Sequence, residues 1–325
     1  MPFLISAFRK TGEAFEIYWV LARITIPIAI LTELLSRMGA IKAVAPIFAP
    51  LMSLVGLPPE LGLAWLTGML VGIWGAVPLV FTLVPMSSLS VADVTVFSAL
   101  MLFAHGLPIE QKIIQKAGPG VIATTTLRIT GGLLYAFLLH QILRATGWLS
   151  APVDPAWIPI SSTPDWAEYF RGLGEAMISM LVILVVLFWT LEILKVAGVL
   201  DWLMKALAPV LRLAGIRGEA GYLTAVGLFL GISYGAGLLI REARSGAISP
   251  RQIFLSCVFM GFAHSVIEDT IIVIALGADV FGVLAGRLAF AIAATAAIAA
   301  VLHRLSDETF FAQIFRLEAI KAEGS

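Results

Sequence analysis

Two histidines, each followed five residues later by a carboxylate, give this chain its strongest chemical signal. His105 precedes Glu110, and His264 precedes Asp269, while Glu268 lies four residues after His264 on the same helical face. Ionisable side chains cost at least about 2.5–3.5 kcal/mol at the centre of a membrane helix, and histidines with carboxylates at that depth are typical of proton relays and ion sites. The alternative is a pair of neutral imidazoles hydrogen-bonded in a core, with Glu110 paired to a lysine at the polar end of its helix.

Two arginines also lie inside apolar helices, close to the predicted start of each helix. A long side chain such as Arg128 or Arg287 can extend to the membrane interface and leave its charge in water. Alternatively, each guanidinium pairs with a carboxylate or binds an anionic substrate through two parallel hydrogen bonds. The sequence leaves both alternatives open.

Two histidines and three carboxylates could also bind a divalent metal ion if the fold brings them together. The chain has no cysteine cluster and no His-x-x-x-His pair, so no metal-binding motif supports this possibility. A metal site remains an alternative because of the five side chains alone. Glycine-rich phosphate loops, paired glycosidase carboxylates and a Ser-His-Asp order are absent as motifs. We therefore predict that the protein is not an enzyme and has no organic cofactor, with H⁺ or Na⁺ as candidate coupling ions.

The chain repeats itself with a shift of 159 residues, and the repeat includes its few ionisable positions. Phe103-Ala104-His105 recurs as Phe262-Ala263-His264. Two similar apolar halves are typical of transporters, in which the substrate site lies where the halves meet. The same shift aligns Glu33 with Glu192, Gly72 with Gly231, and Arg128 with Arg287.

The composition indicates a polytopic membrane protein. Of the 325 residues, 60% are hydrophobic and 13% are charged, against about 45–50% apolar and 25% charged in a soluble domain. Apolar runs such as 17–35 and 180–194 approach the 20 residues that span a bilayer. The formal net charge is zero, so we predict the lipid bilayer, and no nucleic acid, as a partner.

Each half predicts the same succession of five elements. A spanning helix is followed by an amphipathic interfacial stretch, a glycine-interrupted segment, a helix with the Phe-Ala-His triplet, and a last helix. We expect them at 16–35, 40–55, 61–84, 93–117 and 120–145, and again at 174–194, 196–214, 222–240, 252–275 and 281–301. The predicted domains are a first repeat at 1–145, an external Pro/Trp-rich linker at 146–168, a second repeat at 169–302 and a cytoplasmic tail at 303–325.

The glycine-interrupted segments are either kinked spans or re-entrant hairpins, with Gly72, Gly75, Gly231 and Gly235 as hinges. Broken backbone at membrane depth is tolerated only where protein or a watery cavity covers it. Half-helix N-termini there would offer N–H groups to an anion, free carbonyls would suit a cation, and Tyr234 could line the site. The alternative is that the glycines only allow close helix packing.

The distribution of Lys and Arg favours two inverted repeats, each with three spanning helices, a re-entrant hairpin and an amphipathic interfacial helix. Cytoplasmic loops are enriched in these residues, and the linker at 146–168 contains none of them. Residues 195–251 contain seven, whereas the equivalent 36–92 contains only Arg37 and Lys42. We therefore predict that equivalent segments face opposite sides and that both termini are cytoplasmic. The competing model has four parallel spans in each half.

The segments Phe103-Ala104-His105-Gly106-Leu107-Pro108-Ile109-Glu110 and Phe262-Ala263-His264-Ser265-Val266-Ile267-Glu268-Asp269-Thr270 resemble the gate, or nucleoside-recognition, membrane domain. Bacterial spore maturation proteins, the gate regions of ferrous iron transporters and, more distantly, concentrative nucleoside transporters share this domain. The resemblance covers nearly the whole chain and implies a re-entrant hairpin and an unwound helix in each repeat, with solute bound between the hairpin tips. Nucleoside transporters use asparagine among their base-binding residues, and this chain has none.

We therefore predict a secondary transporter of a small polar solute, proton- or ion-coupled, in a prokaryotic inner membrane. His105, Glu110, His264, Glu268 and Asp269 would form its binding and coupling centre at the repeat interface. The alternatives are a divalent-metal permease and a non-transporting assembly or regulatory subunit. A homo-oligomer or a paired gate-domain subunit is a further candidate partner.

Overall fold

The computed structural model describes residues 2–154 and 165–316, and almost all of these residues are helical. Within them, six helices are long and apolar enough to cross a membrane, three in each half of the chain. The predicted all-α polytopic membrane fold is therefore confirmed. The six spans are Tyr18–Arg37, Val91–Lys116, Val121–Thr146, Trp166–Leu194, Pro250–Ala275 and Phe281–Leu302.

The described residues of the first half contain eight α-helices and two short 3-10 helices, and prolines divide the amphipathic stretch into short helical turns. Pro46 and Pro50 each stand at the start of a new turn, where a missing N–H costs nothing. In chain order the helices are α1 (Pro2–Arg37), α2 (Ala40–Val44), α3 (Ala49–Leu54), α4 (Leu61–Val71), α5 (Ile73–Leu83), α6 (Val91–Phe103), α7 (Leu107–Lys116) and α8 (Val121–Thr146).

The second half repeats this order, and α12 and α13 have the bounds of α6 and α7 shifted by 159 residues. Its amphipathic stretch is one continuous helix with Pro209 inside it. The helices are α9 (Trp166–Val196), α10 (Val199–Leu213), α11 (Glu219–Ser245), α12 (Pro250–Phe262), α13 (Val266–Ala275) and α14 (Arg287–Leu302), the last preceded by a π-helical turn at Phe281–Gly286.

Each glycine-interrupted segment turns at one glycine. Gly72 separates α4 from α5 with φ 118° and ψ 174°, and Gly231 interrupts α11 with φ 86° and ψ 165°. This region of backbone conformation is accessible essentially only to glycine. The predicted hinges Gly75 and Gly235 instead lie in the helical backbone just after each turn.

The two arms at each turn lie side by side. A Cβ placed on Gly68 would lie 3.2 Å from the Cβ of Ala76, and one placed on Gly235 would lie 3.8 Å from the Cα of Gly227. Both α4 and α5 have 11 residues, about 16 Å, which is half the thickness of a bilayer core. The segments are therefore hairpins, while the membrane side from which each enters stays a prediction, as does the inverted relation of the repeats.

Two contacts fix which segments share an end of the molecule. The backbone N–H of Arg316 donates to Gly118 O at 2.8 Å, so the start of the predicted tail lies against the α7–α8 loop. The start of the predicted linker lies against the beginning of α6, because Val91 N–H donates to Ala151 O at 2.9 Å. Residues 155–164 of the predicted linker and the last residues, 317–325, lie outside the described part of the chain, and residues 166–168 of the predicted linker belong to α9.

Four aromatic side chains pack where the halves meet. Phe103 and Phe262, equivalent residues of α6 and α12, have ring centroids 5.6 Å apart. Phe290 from α14 lies 5.5 Å from Phe103, and Tyr135 from α8 lies 5.2 Å from Phe290. The Tyr135 hydroxyl donates to Gly282 O at 2.5 Å, so it also ties α8 to the second half. These rings form the part of the core that lies beside the site described below.

We expect Gly72→Ala to lower the melting temperature of the detergent-purified protein, because a Cβ at this φ strains the backbone by about 1–3 kcal/mol. No neighbouring atom lies within 4 Å of that Cβ, so the effect isolates backbone strain from packing. Gly174→Ala is the matched control, since Gly174 is helical, exposed and equally open to a Cβ. Equal melting temperatures for the two variants would contradict the assignment of the turn.

Candidate functional site

Two spanning helices are broken at equivalent places. α6 ends at Phe103 and α7 begins at Leu107, and between them Gly106 adopts a left-handed conformation with φ 57°. In the second half α12 ends at Phe262, and Ser265 occupies the same left-handed region with φ 46°. Glycine accepts this conformation without cost, whereas serine at this φ is uncommon. Each break exposes backbone carbonyls that a continuous helix would have satisfied internally.

Arg128 donates to the carbonyls freed by the first break. Its Nε lies 2.7 Å from Phe103 O, and its Nη2 lies 3.1 Å from His105 O. Its Nη1 lies 2.5 Å from Glu110 Oε2, which makes a buried ion pair. Only 2% of the arginine is exposed, so its guanidinium does not reach the interface. Of the two alternatives open from the sequence, the structure shows the carboxylate pair.

Arg287 does the same for the second break and also reaches across to the first half. Its Nε lies 2.8 Å from Phe262 O, and its Nη2 lies 3.3 Å from His264 O and 3.0 Å from Leu102 O. It is 1% exposed. Its Nη1 finds no hydrogen-bond acceptor among the residues the structure describes, so it differs from Arg128 in having no carboxylate directly bonded.

The two histidines meet between the halves. Their Nε2 atoms lie 3.3 Å apart, and their ring centroids lie 4.9 Å apart. Nδ1 of His105 lies 3.1 Å from Met101 O, and Nδ1 of His264 lies 2.7 Å from Met260 O. A carbonyl only accepts, so each Nδ1 carries the hydrogen, and each neutral ring presents a bare Nε2 to the other.

Each carboxylate reaches the histidine of the opposite half. Glu110 Oε1 lies 3.2 Å from His264 Nε2 and 3.9 Å from His105 Nε2. Asp269 Oδ2 lies 3.6 Å from His105 Nε2. All four side chains are buried. The five-residue spacing within each half therefore yields one cluster that crosses the repeat interface.

A cavity of about 200 Å³ opens onto this cluster. The hairpin turns at Gly72 and Gly231 form part of its wall, and the half-buried Glu268 also faces it. Gly75 lines the cavity as well, whereas Gly235 is not among the lining residues. Tyr234 has a helical backbone, and its side chain lies outside the described part of the structure. The remaining members of the wall are Thr25, Val71, Ile73, Trp74, His105, Gly106, Ile109, Glu110, Ile232, Ser265 and Asp269.

Two wall residues, Thr25 and Ser265, were not predicted from the sequence. Thr25 comes from α1, and its hydroxyl lies 3.5 Å from Trp74 O. A polar residue within an apolar span could have marked it, although Thr32 stands in the same span. Ser265 stands where the 159-residue shift puts Gly106, and a serine replacing a glycine of the repeat could have marked it. No sequence pattern predicts the role of the Met101 and Met260 carbonyls.

The fold and the buried cluster define a helical membrane protein with an ionisable centre between two halves. The sequence matches the Gate family, described as nucleoside recognition, over residues 18–119 and 177–280. The chain belongs to this family, as the resemblance predicted, and the family is not a family of enzymes. The two matched segments are offset by the same 159 residues as the two halves at their starts.

One relative is an uncharacterized membrane protein, YvoD, from Bacillus subtilis (strain 168). It is 26% identical over 299 residues, which cover 89% of this chain and 92% of the relative. No solved structure matches the chain. The comparisons agree with a membrane location and leave the roles of the cluster residues as proposals.

Arg128→Ala is expected to lower the melting temperature strongly, because it leaves Glu110 buried without its ion-pair partner and two carbonyls without a donor. Removing one partner of a buried pair typically costs about 3–5 kcal/mol. Arg144→Ala provides the control on the same helix, since Arg144 is exposed in the last turn of α8. If both variants melt at the wild-type temperature, Arg128 does not hold the broken helix.

Proposed function

We propose that this protein is a secondary transporter whose solute site is the cavity between the hairpin turns and the broken helices. The supporting observation is that both hairpin glycines, Gly72 and Gly231, line the same cavity as His105, Glu110 and Asp269. Ionisable side chains inside a membrane are costly and mark substrate or ion pathways. Membership of a membrane nucleoside-recognition family agrees with a transport-related role.

The size of the cavity supports a small solute. Pockets for drug-sized ligands measure about 300–1,000 Å³, and this one measures about 200 Å³. The carboxylates Glu110, Glu268 and Asp269 line its wall together with His105. Such a wall suits a small polar or cationic solute better than the uncharged base of a nucleoside.

The contacts between the halves support coupling between ion binding and opening. His105 and His264, and also Glu110 and His264, come from different halves and lie 3.3 Å and 3.2 Å apart. Adding or removing a cation at these atoms changes the attraction between the halves. In our proposal the halves rock against each other around the site, and the cluster sets their relative stability by its ion occupancy.

The membrane and its orientation are part of the same proposal. We place the protein in a prokaryotic inner membrane with both termini in the cytoplasm. The absence of Lys and Arg from 146–168 and the bacterial relative support this placement.

A thermal-shift screen of the detergent-purified protein tests the proposed site. The probes are uridine, adenosine, adenine, succinate, citrate, glucose 6-phosphate, Na⁺ and divalent cations. A ligand at about 100 times its dissociation constant should stabilise the protein by about 2.7 kcal/mol. We expect a stabilising ligand, and we expect Glu268→Gln to weaken or abolish its effect because Glu268 faces the cavity.

Glu308→Gln is the control, since Glu308 is exposed and is not one of the residues that line the cavity. It should leave the ligand-induced shift unchanged. A panel in which no probe stabilises the wild type, with Glu268→Gln melting like the wild type, would favour the non-transporting subunit instead.

A further inference from the structure

Four acceptor atoms converge at the centre of the cluster. They are Nε2 of His105, Nε2 of His264, Oε1 of Glu110 and Oδ2 of Asp269. Both Nδ1 atoms face backbone carbonyls, so neither Nε2 carries a hydrogen in a neutral ring. Oδ2 of Asp269 finds no hydrogen-bond donor among the described residues. With the carboxylates ionised, four lone pairs face one another, and a shared cation would stabilise them.

Two of the distances between these atoms match the edges of a tetrahedral metal site, and two others are somewhat longer. Metal bonds of about 2.0–2.1 Å to nitrogen or oxygen give ligand-to-ligand edges of about 3.3–3.4 Å. The two Nε2 atoms lie 3.3 Å apart, and Glu110 Oε1 lies 3.2 Å from His264 Nε2. The edge from His105 Nε2 to Asp269 Oδ2 measures 3.6 Å, and the one to Glu110 Oε1 measures 3.9 Å. His105, His264 and Asp269 each offer a ligand atom within 4.8 Å of the other two.

The surroundings of the cluster orient its members as the second shell of a metal site does. Metal-binding histidines donate their second ring N–H to a carbonyl or carboxylate, which fixes the ring. Here Met101 O and Met260 O accept those hydrogens. Arg128 binds Oε2 of Glu110 and leaves Oε1 facing the histidines. Arg128 is therefore a positioning residue for this carboxylate.

The charge balance also favours a cation. When ionised, the carboxylates of Glu110 and Asp269 supply two negative charges, and Arg128 and Arg287 supply two positive charges. Both guanidiniums, however, bind carbonyls at the C-terminal ends of α6 and α12, where each helix dipole contributes about half a negative charge. Glu268 adds a third carboxylate on the cavity wall.

We propose that His105, His264, Asp269 and Glu110 bind one divalent transition-metal ion of the Zn²⁺ or Co²⁺ type. Imidazole ligands select such ions over Mg²⁺ and Ca²⁺, which prefer six or more oxygen ligands. The inference rests on the proposed function, because it names the class of ion that the same site takes. The metal joins the two halves through ligands from each.

Cobalt absorption tests the site without a transport assay. Tetrahedral Co²⁺ absorbs visible light far more strongly than octahedral Co²⁺, so a titration of the detergent-purified protein reports both stoichiometry and geometry. We expect an intense visible band that saturates at one Co²⁺ per chain and that one equivalent of Zn²⁺ removes. We expect His264→Gln and Asp269→Asn to lose the band, with melting temperatures measured alongside to show that each variant is folded.

His303→Gln is the matched control, because His303 is exposed just after α14 and is not one of the residues that line the cavity. It should keep the band, whereas loss of the band in this variant would show adventitious binding and overturn the proposal. If the wild-type protein with Co²⁺ shows only the weak absorption of octahedral Co²⁺, the proposal is overturned as well. That result comes from the wild type alone and does not depend on any variant. If the organic probes still stabilise the protein in that case, the transporter proposal stands without the metal.

Discussion

Backbone carbonyls inside a bilayer need a donor, and this fold breaks two of its spanning helices there. Leaving each freed group unsatisfied would cost several kcal/mol. Arg128 and Arg287 meet this requirement, because their guanidinium groups donate to carbonyls at the ends of α6 and α12. Both arginines are almost completely buried. Each break in turn allows a histidine and a carboxylate to leave the helical surface and face the opposite half. The cluster therefore depends on the two arginines.

The aromatic contacts determine how closely the broken helices approach. Phe103 and Phe262 precede the two histidines by two residues and pack 5.6 Å apart between ring centroids. This packing brings the next turn of each chain into contact, so the imidazoles lie 3.3 Å apart between their Nε2 atoms. Two glycines on α8 leave room for these residues: a Cβ on Gly131 would lie 2.7 Å from Cε1 of Phe262 in the other half, and one on Gly132 would lie 2.8 Å from the Cβ of Phe103. Small residues at this interface thus help to set the distance between the histidines.

Much of the fold follows from the sequence, because long apolar runs, glycine clusters and the 159-residue repeat are local or additive signals. These signals predict six spans, and the structure contains six within its described residues. The glycine clusters left kinked spans and hairpins open, and the break after each Phe-Ala-His triplet was implied by the family resemblance. The sequence predicted which side chains belong to the candidate site. It did not predict which of them contact one another. That Glu110 faces His264 depends on the packing of the two halves, which no spacing within one half encodes. The left-handed Ser265 is likewise held by its surroundings, since serine has no intrinsic preference for that conformation.

The two halves have the same order of helices and differ in their charged residues. This difference makes the two sides of the site unequal. The first half holds its carboxylate firmly, since Glu110 is bonded to Arg128. The second half has two adjacent carboxylates, Glu268 and Asp269, and neither makes an ion pair with an arginine among the described residues. A carboxylate without such a bond can change its partner at lower cost than one that must first leave a guanidinium. We therefore expect the first half to act as the fixed wall of the site, and α13 to respond when an ion arrives or leaves.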